Sequence, residues 1–208
     1  IKLLNPETKE LADYLNESKG LISNSVYALK RNKANDIFIG TEGTGINILN
    51  AATGRLEKLE IPDKYPPFKA VYNIYFTNND SLLWIGTSGY GLIKINISRE
   101  QGRYHVKGFR QYNSSDKNIS LNNDVVYAIT SDPKDNMLWF GTRGGGLNCI
   151  NIKNNGIKSL EDIDSRILLT NNDVLCLLRD DTGIWIGTSY GLNELKKEEN
   201  DFHLIQYA

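Results

Sequence analysis

Four short stretches of this chain are near-copies of one another: Phe38-Ile39-Gly40-Thr41, Trp84-Ile85-Gly86-Thr87, Trp139-Phe140-Gly141-Thr142 and Trp185-Ile186-Gly187-Thr188. Each runs within a few residues into Gly45-Ile46, Gly91-Leu92, Gly146-Leu147 or Gly191-Leu192. The motif glycines stand 46, 55 and 46 positions apart. A period near this length, with strand-like content, marks a radial or stacked array of one supersecondary unit rather than a domain built round one site. Residues present in every copy are therefore expected to be scaffold. Function is sought among those that vary inside the frame.

Each unit opens on turn-forming residues, Ser23-Asn24-Ser25, Asn122-Asn123-Asp124 or Asn171-Asn172-Asp173, with Pro66-Pro67-Phe68 in the second unit. Such side chains bond their own backbone or stiffen it. A β-rich run follows (strand A): Val26 to Leu29, Val71 to Ile74, Val126 to Ile129 and Val174 to Leu177. Its third position is small (Ala28, Asn73, Ala128, Cys176), as expected where strands crowd together. Polar turns at Lys33 to Asp36, Asn78 to Asp80, Lys134 to Asn136 and Asp181 to Gly183 lead into the Trp motif, strand B. An indole buries about 150–250 Å². At about 25 cal/mol/Å² that contributes on the order of 4–6 kcal/mol as an upper bound, so packing between units is its expected role. The glycine step permits positive φ before strand C: Gly45 to Leu49, Gly91 to Ile95, Gly146 to Ile150 and Gly191 to Leu195. A more polar strand D closes the unit, for example Leu56 to Ile61, His105 to Tyr112 and Phe202 to Tyr207.

Four strands per repeat, the outermost least regular, describe a β-propeller blade. The expected fold is all-β, a propeller segment of about four four-stranded blades plus an N-terminal half-blade. Residues 1–20 read as outer strands of a preceding blade, 21–65 as blade 1, 66–118 as blade 2, 119–168 as blade 3 and 169–208 as blade 4. Neither end offers the strands that would close a ring. The chain also opens on Ile1 rather than Met, so it is expected to be a segment of something longer. The exposed flanks of such a segment invite pairing of two copies, so a homodimer is one expected partner state.

A net charge of −1 over 208 residues lacks the basic footprint that nucleic-acid binding needs. No apolar run is long enough to span a bilayer, so any membrane attachment would lie in other parts of a parent protein. Cys149 and Cys176 occupy different strand roles in successive units, and both are expected to be buried free thiols. Cysteine usage leaves the compartment open.

The pattern from Val126-Tyr127-Ala128-Ile129 through Gly146-Leu147, repeated in the other units, resembles the two-component regulator propeller repeat. Leu3-Leu4-Asn5-Pro6-Glu7-Thr8 is similar to that family's strand C and following turn. The resemblance covers essentially the whole chain. It departs at Phe38, which replaces Trp, and in the shorter glycine step of the fourth unit. It implies a non-catalytic piece of the extracytoplasmic, periplasmic sensor of a membrane-bound histidine kinase, often a Bacteroides-type hybrid two-component system that senses oligosaccharides. The implied partners are an oligosaccharide and the remaining blades of the parent receptor. No cofactor is implied.

Catalysis and metal binding find little support in the residues. Gly141 to Gly146 lacks the Lys-Ser/Thr ending of a P-loop and opens no helix. Arg179 to Trp185 loosely resembles an Asp-box turn of sialidase propellers, off its spacing, and a structural turn is expected. His105 and His203 have no Cys or carboxylate at metal-ligand spacing, and no histidine completes a triad with a Ser or Cys. Asp180-Asp181 and Glu198-Glu199 are expected to be solvated. The candidate ligand-binding residues are those that vary between strands B and C, namely Glu42, Tyr90, Arg143 and Tyr190, together with Asn24, Asp124 and Asp173 of the lead-in turns. Aromatic rings, a guanidinium and carboxylates on one loop face suit an oligosaccharide. The nine-residue excess of unit two falls around Asn96 to Asn122, a stretch that contains Arg99, Arg103, Lys107 and Arg110. They suit an anion, or a charged outer strand that blocks edge pairing; the second is preferred. The rival functions are a protein-interaction scaffold and a propeller lyase or glycoside hydrolase.

Overall fold

The computed structural model describes residues 1–116, 121–132, 136–198 and 201–207. Lys134 and Asp135 of the third A–B turn, and Glu199, lie outside them. A short antiparallel pair, β1 (Lys2–Leu4) with β2 (Leu11–Asp13), opens the chain. A 3₁₀ turn at Glu17–Lys19 follows. Four antiparallel four-stranded sheets come next, and in each the strands pair in sequence order. The first holds β3 (Val26–Arg31), β4 (Ile37–Thr41), β5 (Ile46–Leu49) and β6 (Leu56–Lys58). The second holds β7 (Val71–Thr77), β8 (Leu82–Thr87), β9 (Leu92–Glu100) and β10 (Arg103–Tyr112). The third holds β11 (Val126–Asp132), β12 (Met137–Thr142), β13 (Leu147–Asn151) and β14 (Ile157–Ser159), and the fourth β15 (Val174–Arg179), β16 (Ile184–Thr188), β17 (Gly191–Glu198) and β18 (Asp201–Tyr207). These are four propeller blades.

The chain divides into two compact units. One is 1–83 with 95–109; the other is 84–94 with 110–208. In the first unit Leu15, Leu21, Ile39 and Leu49 form a buried cluster, against which Ile1 and Tyr14 pack. Phe38 is fully buried, with Phe76 and Tyr104 edge-on at 4.9 and 5.0 Å. In the second unit Trp139, Leu147, Cys149, Val174, Ile184 and Ile186 belong to one buried cluster.

The motif glycine has a packing reason. A Cβ on Gly40 would stand 2.6 Å from Cγ1 of Val71, and one on Gly86 2.6 Å from the carbonyl oxygen of Val126. One on Gly141 would overlap Cγ1 of Val174. Each time, the first valine of strand A in one sheet lies on the glycine of strand B in the sheet before. The small third residue of strand A sits opposite the glycine of its own sheet: Ala28 pairs with Gly40, Ala128 with Gly141 and Cys176 with Gly187, each after a bulge. Cross-strand geometry at the glycine therefore selects that size.

Three features differ from the sequence reading. Cys149 is buried as expected, and its burial pushes the thiol pKa up to about 12. Cys176, however, is exposed. Trp84 and Trp139 are buried, whereas Trp185 is only half-buried. One physical reason serves both: among the described residues of the second unit no further sheet covers that side of β15–β18. The third difference is a capped helical turn, α1 (Leu160–Ile163), after the three-residue β14. Ser159 and Asp162 form a reciprocal capping box there, which satisfies two backbone donors at the helix start.

The extra residues of the second sheet lengthen one hairpin, β9–β10. Arg99, Lys107 and Arg110 have partners within the fold. Arg99 pairs with the buried Asp36 at 3.1 Å, and Tyr104 donates its hydroxyl to Asp36 at 2.7 Å. Lys107 bridges to Glu100, and Arg110 lies 4.9 Å over the Tyr112 ring. Arg103 is exposed.

Candidate functional site

The motif threonine shapes the loop between strands B and C. The hydroxyl of Thr87 donates to the Gly91 carbonyl (2.7 Å), Thr142 to Gly146 (3.1 Å) and Thr188 to Gly191 (2.9 Å). The same oxygens accept the backbone N–H of Tyr90 and of Tyr190, each at 3.1 Å. The residue after the threonine is tied back to its own lead-in turn. Glu42 N–H donates to the Ser25 carbonyl (2.9 Å), Arg143 to Val125 (3.0 Å) and Ser189 to Asp173 (3.0 Å). A further bond reaches the lead-in of the next sheet: Glu42 accepts from Ala70 (3.1 Å), Gly91 donates to Asp124 (2.8 Å) and Gly146 to Asn172 (2.9 Å). The recurring residues thus hold the backbone of each loop and leave the variable side chains to project from a fixed frame.

In the first unit, Glu42 is exposed. Beside it, Tyr27 is 46% exposed and meets the Tyr72 ring edge-on at 5.0 Å. The Tyr27 hydroxyl is held above its ordinary pKa by local desolvation and then by the Glu42 carboxylate and Tyr72. Asn24 is exposed, but its side chain accepts from Glu17 N–H at 3.0 Å while its own N–H donates to the Glu17 carboxylate at 2.9 Å. It is a turn residue. The tyrosines at 27 and 72 were overlooked in the sequence because they recur, and recurrence reads as scaffold. The alternation of strand A, which turns Tyr27 away from the partly buried Val26, was the available signal.

In the second unit, Tyr190 is 81% exposed and Arg143 is exposed, with no hydrogen bond or ion pair at its guanidinium among the described residues. Tyr90 is half-buried, and its carbonyl accepts from the Gln111 side chain at 2.9 Å. Asp124 uses both carboxylate oxygens on Ser114, at 2.6 Å to N–H and 2.8 Å to the hydroxyl. Asp173 is half-buried, and its N–H donates to the Asn171 side chain at 2.7 Å. A cleft of about 210 Å³ next to the Arg143 loop is lined by Asn122, Gly145, Ser159, Glu161 and Asn172 among others. Nearby, the buried Asn148 Oδ1 has no hydrogen-bond partner among the described residues. Its counterparts accept backbone N–H groups: Asn47 from Ile22 (2.8 Å) and Asn193 from Thr170 (3.1 Å). Two larger grooves, about 540 and 500 Å³, lie along the outer strands instead, beside Arg166 and His203 and beside Trp139 and Phe202. Among the described residues no cluster of three or more His, Cys, Asp or Glu could hold a metal ion, and no helix is long and apolar enough to cross a membrane.

Asp180 closes the last A–B turn. It accepts from the N–H and hydroxyl of Thr182 (2.8 and 2.7 Å), from Gly183 N–H (3.0 Å) and from the Trp185 indole (2.7 Å). These bonds, led by those from Thr182 and Trp185, hold its carboxyl far below the usual carboxylate range. A depressed folded-state pKa gives stability that is complete above the unfolded value and is lost as pH falls through and below it. Asp180→Asn is therefore expected to lower the denaturation midpoint at pH 7. The difference from the parent chain should shrink below about pH 4, where an unperturbed Asp titrates. Urea melts at pH 7, 4 and 3 check this, and a deficit that is constant with pH would remove the carboxylate's role.

Antiparallel four-stranded sheets in series, each valine seated on the preceding glycine, define a β-propeller segment. The family model of the two-component regulator propeller matches residues 168–190, the stretch holding β15, β16 and Tyr190. A histidine kinase of Formosa agariphila is 29% identical over 188 residues, which is 85% of this chain and 12% of that protein. Two crystal structures of one Bacteroides thetaiotaomicron extracellular domain, assigned to a one-component system and to a hybrid two-component system, match with TM-scores of 0.66 and 0.65. They are 22% and 23% identical, and each match covers 92% of this chain and 24% of theirs. The β-propeller domain of Swd1 from Myceliophteria thermophila matches at TM-score 0.62 with 13% identity, over 98% of this chain and 65% of that one. At these identities the solved structures speak for the fold. The chain spans 12% of the histidine kinase and about a quarter of the Bacteroides chains.

Proposed function

We propose that this chain is a non-catalytic part of the extracytoplasmic sensor of a membrane-bound two-component histidine kinase, and that its B–C loops contact an oligosaccharide. The likeness to a histidine kinase and to domains described as extracellular supports the setting. The single observation that carries the ligand reading is the contrast inside each loop. Thr87, Thr142 and Thr188 fix the backbone, while Tyr90, Arg143, Tyr190 and Glu42 differ in chemistry. A pinned frame lowers the entropy lost on binding. Tyrosine rings stack on sugar faces, and a guanidinium takes a carboxylate or sulfate in bidentate fashion. Asn24 and Asp124 support turns in this scheme, and Tyr27 with Tyr72 adds an aromatic platform beside Glu42. Binding signals by favouring one of two receptor arrangements, by no more than the ligand's difference in affinity for them.

A thermal-shift screen against defined oligosaccharides, sulfated and uronic-acid-containing ones included, tests this. Ligand at about 100 times its Kd adds about 2.7 kcal/mol, a rise of several degrees in Tm for a domain of this size. The expected result is a selective rise that Arg143→Ala or Tyr90→Ala removes. No rise with any sugar, together with a captured protein partner, would favour an interaction scaffold instead.

A further inference from the structure

The groove of about 500 Å³ beside Trp139 and Phe202 lies where one junction of the array is filled differently from another. In the first unit the large ring of strand B, Phe38, meets Phe76 and Tyr104 edge-on, and Arg99 reaches Asp36 close by. By repeat position Arg179 stands where Phe76 does, five residues after the valine that opens strand A. Its guanidinium is turned to Asp132 (3.4 Å) and to the Gly183 carbonyl (3.2 Å). No ring therefore takes that place, and Trp139 meets Phe202 edge-on at 5.7 Å. Cross-strand pairing puts Trp139, Cys149 and Lys158 in one row of the third sheet, with Met137 and Asn151 in the row beside it. All five line the groove. Lys197 and Phe202, paired across the β17–β18 hairpin, line it from the fourth sheet, with the Lys197 ammonium 5.9 Å from the Phe202 ring.

We propose that this groove binds a small amphipathic anion, a compact apolar body carrying one carboxylate or sulfonate. Its volume falls among those of small-molecule sites, about 300–1,000 Å³. Its floor is apolar: Met137 and Phe202 pack against the buried cluster that holds Trp139 and Cys149. Its charge has one sign. Lys158 and Lys197 are exposed at the rim, and the described lining residues include no carboxylate. Asp162, whose charge reaches Lys158, accepts the Ser159 N–H at 2.9 Å and is held in the capping box. Lysine stems cover apolar surface while their ammoniums stay in water, so a ligand with an apolar body and an anionic head satisfies floor and rim together. A neutral molecule of the same shape gains only the floor, and a cation is repelled by the rim. Met137 begins β12 and Thr142 ends it, so the groove and the Arg143 loop lie at opposite ends of one strand. The site is separate from the B–C loops and does not rest on the oligosaccharide reading.

Met137 is the single methionine of the chain, so methyl-labelled methionine gives one NMR signal, and that signal comes from the groove. Three probes of equal chain length test the site: octanoate, octan-1-ol and octylammonium. Octanoate is expected to shift the Met137 signal saturably. Octan-1-ol should bind about five- to ten-fold more weakly, as loss of two exposed charge contacts implies, and octylammonium more weakly still. Lys158→Gln combined with Lys197→Gln should weaken octanoate by the same factor and leave octan-1-ol unchanged. Both lysines are exposed, so the double variant is expected to keep the parent Tm. Added salt should weaken octanoate alone among the parent's ligands that bind, because exposed charges are screened. A Met137 signal that octanoate does not move overturns the proposal. Equal affinity for the three probes, or undiminished octanoate binding by the double variant, overturns it as well. No sugar enters these measurements, so failure here leaves the oligosaccharide reading standing, and failure of that reading leaves this one.

Discussion

Trp84→Ala is expected to remove about 3–5 kcal/mol of stability, and Trp185→Ala, the same change one hundred and one positions on, far less. Trp84 is fully buried, stacked on Tyr112 with ring centroids 6.2 Å apart, with the Lys94 ammonium 5.2 Å from its ring. Truncation there leaves a cavity at a fully buried site, and that cavity adds to the lost transfer free energy. Trp185 has a tilted contact with Tyr207 at 5.4 Å and one hydrogen bond to Asp180, and its face is otherwise open. Urea unfolding followed by far-ultraviolet circular dichroism reads both variants without relying on tryptophan fluorescence. Equal losses at the two positions would mean that repeat position, rather than burial in this chain, sets the energetics.

Gly91→Ala is expected to be the most damaging of the glycine changes, with a loss well beyond the strain of the backbone alone. Gly91 has φ +73, where an L-residue costs about 1–2 kcal/mol. A Cβ there would also overlap the carbonyl oxygen of Tyr112, with that residue's carbonyl carbon only 3.0 Å away. Both are backbone atoms and cannot rotate aside. Gly102→Ala is the matched control. Its φ is +82 and nothing lies within 4 Å of the new methyl, so only the backbone strain remains. Comparing the two midpoints isolates the clash. If Gly91→Ala and Gly102→Ala unfold at the same urea concentration, the close approach of the Gly91 loop to the Tyr112 strand does not exist in solution.

Much of the blade was legible because strong local signals agreed. The Trp-Ile-Gly-Thr stretch, the valine that starts strand A and the glycine step each fix one strand, and their order repeats. The third sheet hid its ending: Ser159, followed three residues later by Asp162, is a capping-box pattern, yet beside a three-residue strand the β period conceals it. Cys176 and Trp185 were misjudged for a different reason. Repeat position foretells which face a side chain takes, but burial also depends on what covers that face. Asn24 and Asp124 show the limit for sites. Their side chains are held by Glu17 and Ser114, residues seven and ten positions away that no motif connects to them. Tyr27 was lost because recurrence was equated with scaffold, although the exposed edge of an inner strand recurs as faithfully as its core.

Titration calorimetry with a uronic-acid oligosaccharide selected by the thermal-shift screen would decide the matter most directly. The loop-frame reading expects saturable heat, abolished by Arg143→Ala and unchanged by Leu178→Ala on the last sheet's open side. Heat that survives Arg143→Ala, Tyr90→Ala and Tyr190→Ala alike, or no heat from any sugar, would contradict it.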